Sequence, residues 1–113
     1  MAFRPLIGMV VSGLGIASSE HDDGSWESFG YVPYPGTLNL AVDENLPDWL
    51  TSRPPARWQA DRRQHMTVFW PCTIGHVAGH VRANLTAPQI EVVAPVHLRT
   101  VLQLADGDEV HIR

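Results

Sequence analysis

The chain has 113 residues, 8 of them basic and 12 acidic, with a formal charge of −4 and 44% hydrophobic content. These values fit one soluble globular domain with a single core. They argue against a nucleic-acid backbone as a main partner, and no apolar run reaches the roughly 18 residues a membrane span needs. All eight basic residues are arginine, which excludes a Schiff-base lysine and the P-loop lysine. A bound phosphate must then be held by arginine, backbone N–H groups, a helix terminus or a metal ion. The single cysteine, Cys72, excludes an internal disulfide and fits a reducing cytoplasm.

Residues 5–12, Pro-Leu-Ile-Gly-Met-Val-Val-Ser, read as a nearly continuous apolar strand buried on both faces. Gly8, Ser12, Gly13 and Gly15 interrupt the run from Leu6 to Ile16, and only Arg4 precedes it, which suits a strand better than a signal peptide. Ser12-Gly13-Leu14-Gly15 is a glycine loop: either an ordinary tight turn or a place where backbone closely approaches a ligand. Residues 18–30 are polar and acidic and read as an exposed excursion, with one helical turn over Ser25–Phe29. Its cluster Glu20, His21, Asp22 and Asp23 reads as a solvated loop rather than a metal site, because consecutive residues rarely converge on one ion.

Pro33-Tyr34-Pro35-Gly36 is turn chemistry, with two prolines near φ −65° and a glycine free to adopt positive φ. Alternation then begins, with Leu38 and Leu40 on one face of a strand and Thr37 and Asn39 on the other. A hydroxyl and a carboxamide are thus placed together after a rigid turn. They either face solvent at a hairpin entrance or ligate a hard cation completed by water and substrate phosphates.

The strand ends at Asp43-Glu44-Asn45, and Leu46-Pro47-Asp48-Trp49-Leu50 reads as a short helix with proline in its first turn. Residues 52–63 concentrate Arg53, Arg57, Arg62 and Arg63 around Trp58. They read as an extended segment that either faces solvent or covers a phosphate-bearing ligand, with Trp58 stacked on a ring. Met66–Trp70 and Ile74–Val81 read as two strands separated by Pro71-Cys72. His76 and His80 would share the second strand, on one side yet too far apart for one ion. Cys72 has apolar neighbours and no base assignable to activate it.

Residues 90–94 read as a strand with Glu91 in an apolar frame. Pro95 suits the first position of a helix continuing through Val96–Leu104, whose N-terminal N–H groups would face an anion. Ala105-Asp106-Gly107-Asp108 is a turn and Glu109–Ile112 a closing strand. About six short strands, one or two short helices and no βαβ rhythm predict a mainly β fold, a small closed or partly closed barrel spanning 1–113 as one domain.

Three stretches occur here in an order that resembles the archaeal CTP-dependent riboflavin kinases. They are Val11-Ser12-Gly13-Leu14-Gly15, Pro33 to Leu40, and Glu91-Val92-Val93-Ala94-Pro95-Val96-His97-Leu98-Arg99 followed by Leu104-Ala105-Asp106-Gly107-Asp108. The resemblance covers nearly the whole chain. It implies a six-stranded cradle-loop barrel that moves the γ-phosphate of CTP to the 5′-hydroxyl of riboflavin or a related alcohol, giving FMN. By the same resemblance Gly13, Leu14, Gly15, Ile16 and Ala17, together with Val96, His97, Leu98 and Arg99, would bind nucleotide. Thr37 and Asn39 would hold Mg²⁺, and Glu91 and Ala83 would contact the flavin. The implied partners are small molecules, with no nucleic acid and no membrane, in the cytoplasm.

The chain also departs from that pattern. Gly15-Ile16-Ala17 stands where the family usually has Gly-Glu-Gly, and Ala83 follows Arg82 where the family has threonine. Pro71-Cys72-Thr73-Ile74 replaces a Cys-Tyr-Pro-Ala stretch, and residues 18–30 are acidic instead of aromatic and basic. These differences leave a second expectation, a barrel that binds nucleotide or flavin without turnover.

Overall fold

The computed structural model describes residues 4–12, 30–59, 66–84 and 88–113. In chain order the elements are β1 (Leu6–Val11), β2 (Leu38–Val42), α1 (Leu46–Thr51), β3 (Ala56–Gln59), β4 (Met66–Ile74), β5 (Val77–Asn84), β6 (Gln89–Val93), α2 (Leu98–Val101) and β7 (Glu109–Ile112). Six strands follow one another around a barrel in the order β4-β5-β6-β2-β1-β7, and the ring closes where β7 pairs back onto β4 at Ile112 and Ile74. Every pairing is antiparallel. β3 lies outside the ring, paired to the first half of β4. The mainly β expectation holds, and the arginine-rich segment supplies the additional strand.

Closure gives each strand one inner face. Leu6, Val10, Leu38, Leu40, Ile74, Val81, Ile90, Val92 and Ile112 fill the interior, each at most 4% exposed. β1 is therefore not buried on both faces as its composition suggested: Met9, between Gly8 and Val10, is 49% exposed. Among the described residues no layer covers its outward side, so apolar composition overstated its burial. The inner wall is crowded at Gly8, where an added Cβ would lie 3.2 Å from the Leu40 Cβ and 3.3 Å from a Val42 methyl. α1 forms as expected, with Pro47 in its first turn, and adds Leu46, Trp49 and Leu50 to the core. The buried Trp49 indole donates to the Ile112 carbonyl at 3.1 Å, satisfying the one polar atom that burying the ring would otherwise strand.

Three expectations are corrected. β4 runs unbroken through Pro71-Cys72, so 66–74 is one strand rather than the end of one and the start of another. Thr73 exchanges backbone hydrogen bonds with Arg113. Pro71, two residues earlier, presents the same edge in the gap between the β3 pairing, which ends at Phe69, and the β7 pairing at Ile74. A residue without an N–H is tolerated there. The β4–β5 turn is Gly75-His76, with Gly75 at φ 59°, so His76 sits in the turn and His80 alone lies on β5. Finally, the last helix is one turn long. It begins at Leu98 with His97 as an extended N-cap, so Pro95 and Val96 form a bend before it. It ends where Gln103 turns to φ 55° and the Leu104 N–H returns to the Arg99 carbonyl at 2.8 Å. The helix is too short for its N-terminus to serve as the anion site expected at Pro95.

Candidate functional site

The turn before β2 is bonded to the exit of β6. Tyr34 N–H donates to the Ala94 carbonyl at 2.8 Å, and Gly36 adopts φ 103°, a conformation that favours glycine. The Tyr34 ring lies against His97, with centroids 5.0 Å apart. The segments 34–38 and 96–99, about sixty positions apart in sequence, thereby enclose a cavity of about 110 Å³ whose walls include Gly36, Thr37, His97 and Arg99.

Thr37 and Asn39 meet at this end of β2. The Asn39 amide donates to the Thr37 carbonyl at 3.3 Å and to Thr37 Oγ1 at 3.4 Å. Turned over, the same carboxamide presents Oδ1 to that spot. The two residues then offer neutral, hard oxygen ligands of the kind an Mg²⁺-sized cation takes alongside phosphate oxygens and water. Among the described residues no three His, Cys, Asp or Glu side chains converge on one ion. A cation here would accordingly bring much of its coordination with the nucleotide.

Register continues the row outward from Asn39. Asn39 pairs with Val11 on β1 and with Glu91 on β6, and Glu91 pairs with Arg82 on β5. Arg82 Nε donates to Glu91 Oε2 at 2.8 Å, and its Nη2 reaches the same oxygen. Ala83 does not join them. It pairs with the buried Ile90 and packs on the core, so its Cβ lies on the opposite face of the sheet from Glu91.

Arg99 is held from two directions. Its Nη2 donates to Asp106 Oδ1 at 2.5 Å and to the Val11 carbonyl at 3.3 Å. Ser12 donates to the other Asp106 oxygen at 2.6 Å. The hydrogen bond from Ser12, and then that from Arg99, hold the Asp106 carboxyl below the usual carboxylate range. The turn carrying Asp106 is itself bonded to β1, through Gly107 N–H to the Val10 carbonyl and Val10 N–H to the Asp108 carbonyl. Beside the cavity, Thr100 Oγ1 lies 2.6 Å from His97 Nδ1.

Residues 10–113 match the family model of the CTP-dependent riboflavin kinase domain, also described as the domain of unknown function DUF120. A riboflavin kinase of Aeropyrum pernix is 37% identical across 94% of this chain and 92% of that protein. The chain belongs to the CTP-dependent riboflavin kinase family. Riboflavin kinases of Methanococcoides burtonii and Pyrobaculum aerophilum are 32% and 34% identical across 95% of the chain, which spans only 55% and 59% of their lengths.

Within this family frame, the fold gathers Thr37, Asn39, Val96, His97, Leu98 and Arg99 around one end of the barrel and sets Glu91 beside Asn39. Gly13, Leu14, Gly15, Ile16 and Ala17 lie outside the described residues, as do the acidic cluster at 20–23 and Arg62 and Arg63. Arg53, in the segment read as either facing solvent or covering a ligand, is built into the scaffold. Its guanidinium lies 3.6 Å above the Trp49 ring and donates to the Trp49 and Pro71 carbonyls at 3.2 Å each.

Sequence reasoning passed over two contributors, Tyr34 and Asp106, because each sits in a turn whose prolines and glycines already explained it. A larger cleft, about 850 Å³, was not legible at all. It shares Val96 with the small cavity and is lined by Tyr31, Cys72, His80 and Arg113 among others. Tyr31 Oη lies 2.8 Å from His80 Nδ1 and donates to the Val93 carbonyl at 3.3 Å. Burial pushes the Cys72 thiol up to about 12, which removes it as a nucleophile near neutral pH. Burial also keeps His80 below its ordinary range. No helix among the described residues is long and apolar enough to cross a membrane.

Proposed function

We propose that this chain transfers the γ-phosphate of CTP to the 5′-hydroxyl of riboflavin, giving FMN, with Mg²⁺ as the divalent cation, and that it does so in the cytoplasm. The convergence of Thr37 and Asn39 beside the cavity walled by His97 and Arg99 carries this reading. Phosphoryl transfer asks mainly for alignment and charge neutralisation, and this end of the barrel supplies both without lysine. Thr37 Oγ1 and Asn39 Oδ1 would hold the cation, which when bound offsets phosphate charge and fixes the phosphate oxygens. Arg99, which lines the same cavity, supplies a permanent positive charge. Val96 to Leu98 hold the nucleotide, and Gly13 to Ala17 complete its binding. Glu91, next to Asn39 in the cross-strand row, meets the flavin from the other side with Arg82 fixing its carboxylate. Purified protein given CTP, Mg²⁺ and riboflavin should form FMN, separable by chromatography, and formation should stop when the cation is chelated. No FMN under these conditions would reject the reading.

Binding without turnover is the second reading, favoured by one observation: Ala83 brings no hydroxyl and faces the core. CTP and riboflavin binding by calorimetry, with no FMN formed, would select it.

A further inference from the structure

Arg99 lines the small cavity and is held by residues outside it. Its guanidinium has five N–H donors, and the Asp106 carboxylate and the Val11 carbonyl are both served by Nη2. Among the described residues, Nε and Nη1 have no partner, so three donors remain for an anion in the cavity that Arg99 lines. The other oxygen of the same carboxylate binds Ser12, which directly precedes Gly13 in the chain. One carboxylate therefore joins the end of β1 to the helix carrying Arg99. The Asp106 side chain is 57% exposed and that of Arg99 33%. Exposed ion pairs contribute little to stability, so fold stability alone is a weak reason for this arrangement. Its geometric effect is larger, because Nη2 held between the Asp106 carboxylate and the Val11 carbonyl restricts the orientations of a flexible arginine.

We propose that Asp106 is a positioning residue for nucleotide binding, orienting the Arg99 guanidinium toward the phosphates. This rests on the functional reading above, in which residues 96–99 hold CTP. The carboxylate does not touch substrate. It acts by leaving Arg99 one orientation in place of many.

Asp106→Asn tests this, because the amide keeps the shape of the side chain but removes the carboxylate charge and one of its two acceptor oxygens. Calorimetry should show CTP affinity about 10-fold weaker in Asp106→Asn, with riboflavin KM within about 2-fold of wild type and an unchanged thermal midpoint. In an Arg99→Gln background the same substitution should have no further effect, since a residue acting through Arg99 has nothing left to orient. Asp106→Glu should restore part of the loss. Equal CTP affinity in wild type and Asp106→Asn would overturn the proposal alone. So would an undiminished effect in the Arg99→Gln background, or an equal rise in riboflavin KM. Wild-type protein that binds no CTP would overturn the functional reading first.

Discussion

The Asn39 carboxamide turns back along its own strand to within 3.4 Å of Thr37 Oγ1. Alternation alone puts the two residues on one face, but a strand face spaces such side chains about 6–7 Å apart at the Cα. The contact closes that gap because Thr37 sits just ahead of β2 and behind the Gly36 turn. If Asn39 holds the cation, Asn39→Ala should lower FMN formation on the order of 100-fold, the upper end of what even outer-shell changes cost at metal sites, with the unfolding midpoint nearly unchanged. Raising Mg²⁺ should partly restore the rate. A large stability loss instead would assign Asn39 to the scaffold.

Glu91 and Arg82 form a cross-strand pair that is part-exposed, at 29% and 40%. Glu91→Gln should therefore cost no more than about 1 kcal/mol in denaturant unfolding. If Glu91 meets the flavin, the same variant should raise riboflavin KM several-fold while CTP affinity holds. A change in CTP affinity alone would place Glu91 on the nucleotide side.

Cys72 links pH to stability with a definite sign. Its folded thiol is raised by burial from an ordinary 9.0 to about 12, so the unfolded chain releases this proton first. Between about 9 and about 12 the unfolded state binds fewer protons, and stability falls as pH rises through that window. Burial pushes the Tyr31 phenol up as well, and it acts in the same direction. Cys72→Ala should flatten the alkaline fall in the thermal midpoint. Below the window, a thiol reagent at pH 8 should label the native protein far more slowly than the unfolded chain.

Gly79 has ordinary φ but no room for a side chain, since an added Cβ would lie 2.4 Å from the Val93 carbonyl oxygen. Backbone cannot yield there without separating β5 from β6. Gly79→Ala should destabilise by about 1–3 kcal/mol, read as a lower urea midpoint. A midpoint equal to wild type would mean that the strands move apart freely.

The most legible elements were those whose local chemistry has a single outcome. Leu38 and Leu40 alternate against Asn39, Pro47 opens a short helix, and Asp106-Gly107 makes a turn before β7. Pro71 misled because a missing N–H ordinarily breaks a strand, and only the gap between β3 and β7 makes it harmless. Residues 96–104 misled because helical spacing says nothing of where a chain must turn. Gln103 leaves the helix to bring Leu104 and the 105–108 turn back toward β1.

Residue types and short-range order were sufficient to exclude lysine chemistry, to place the turn before β2 and to set Thr37 and Asn39 on one face. They were also sufficient to suggest the family through motifs in a particular order. Neither the meeting of Tyr34 with His97 nor the bond from Ser12 to Asp106, 94 positions away, could be read that way. Such contacts depend on which strands pair and in what register, and that is decided by closing six strands around one shared core. The same register put Glu91 beside Asn39 and turned Ala83 inward, because one step along a strand changes the face on which a side chain lies.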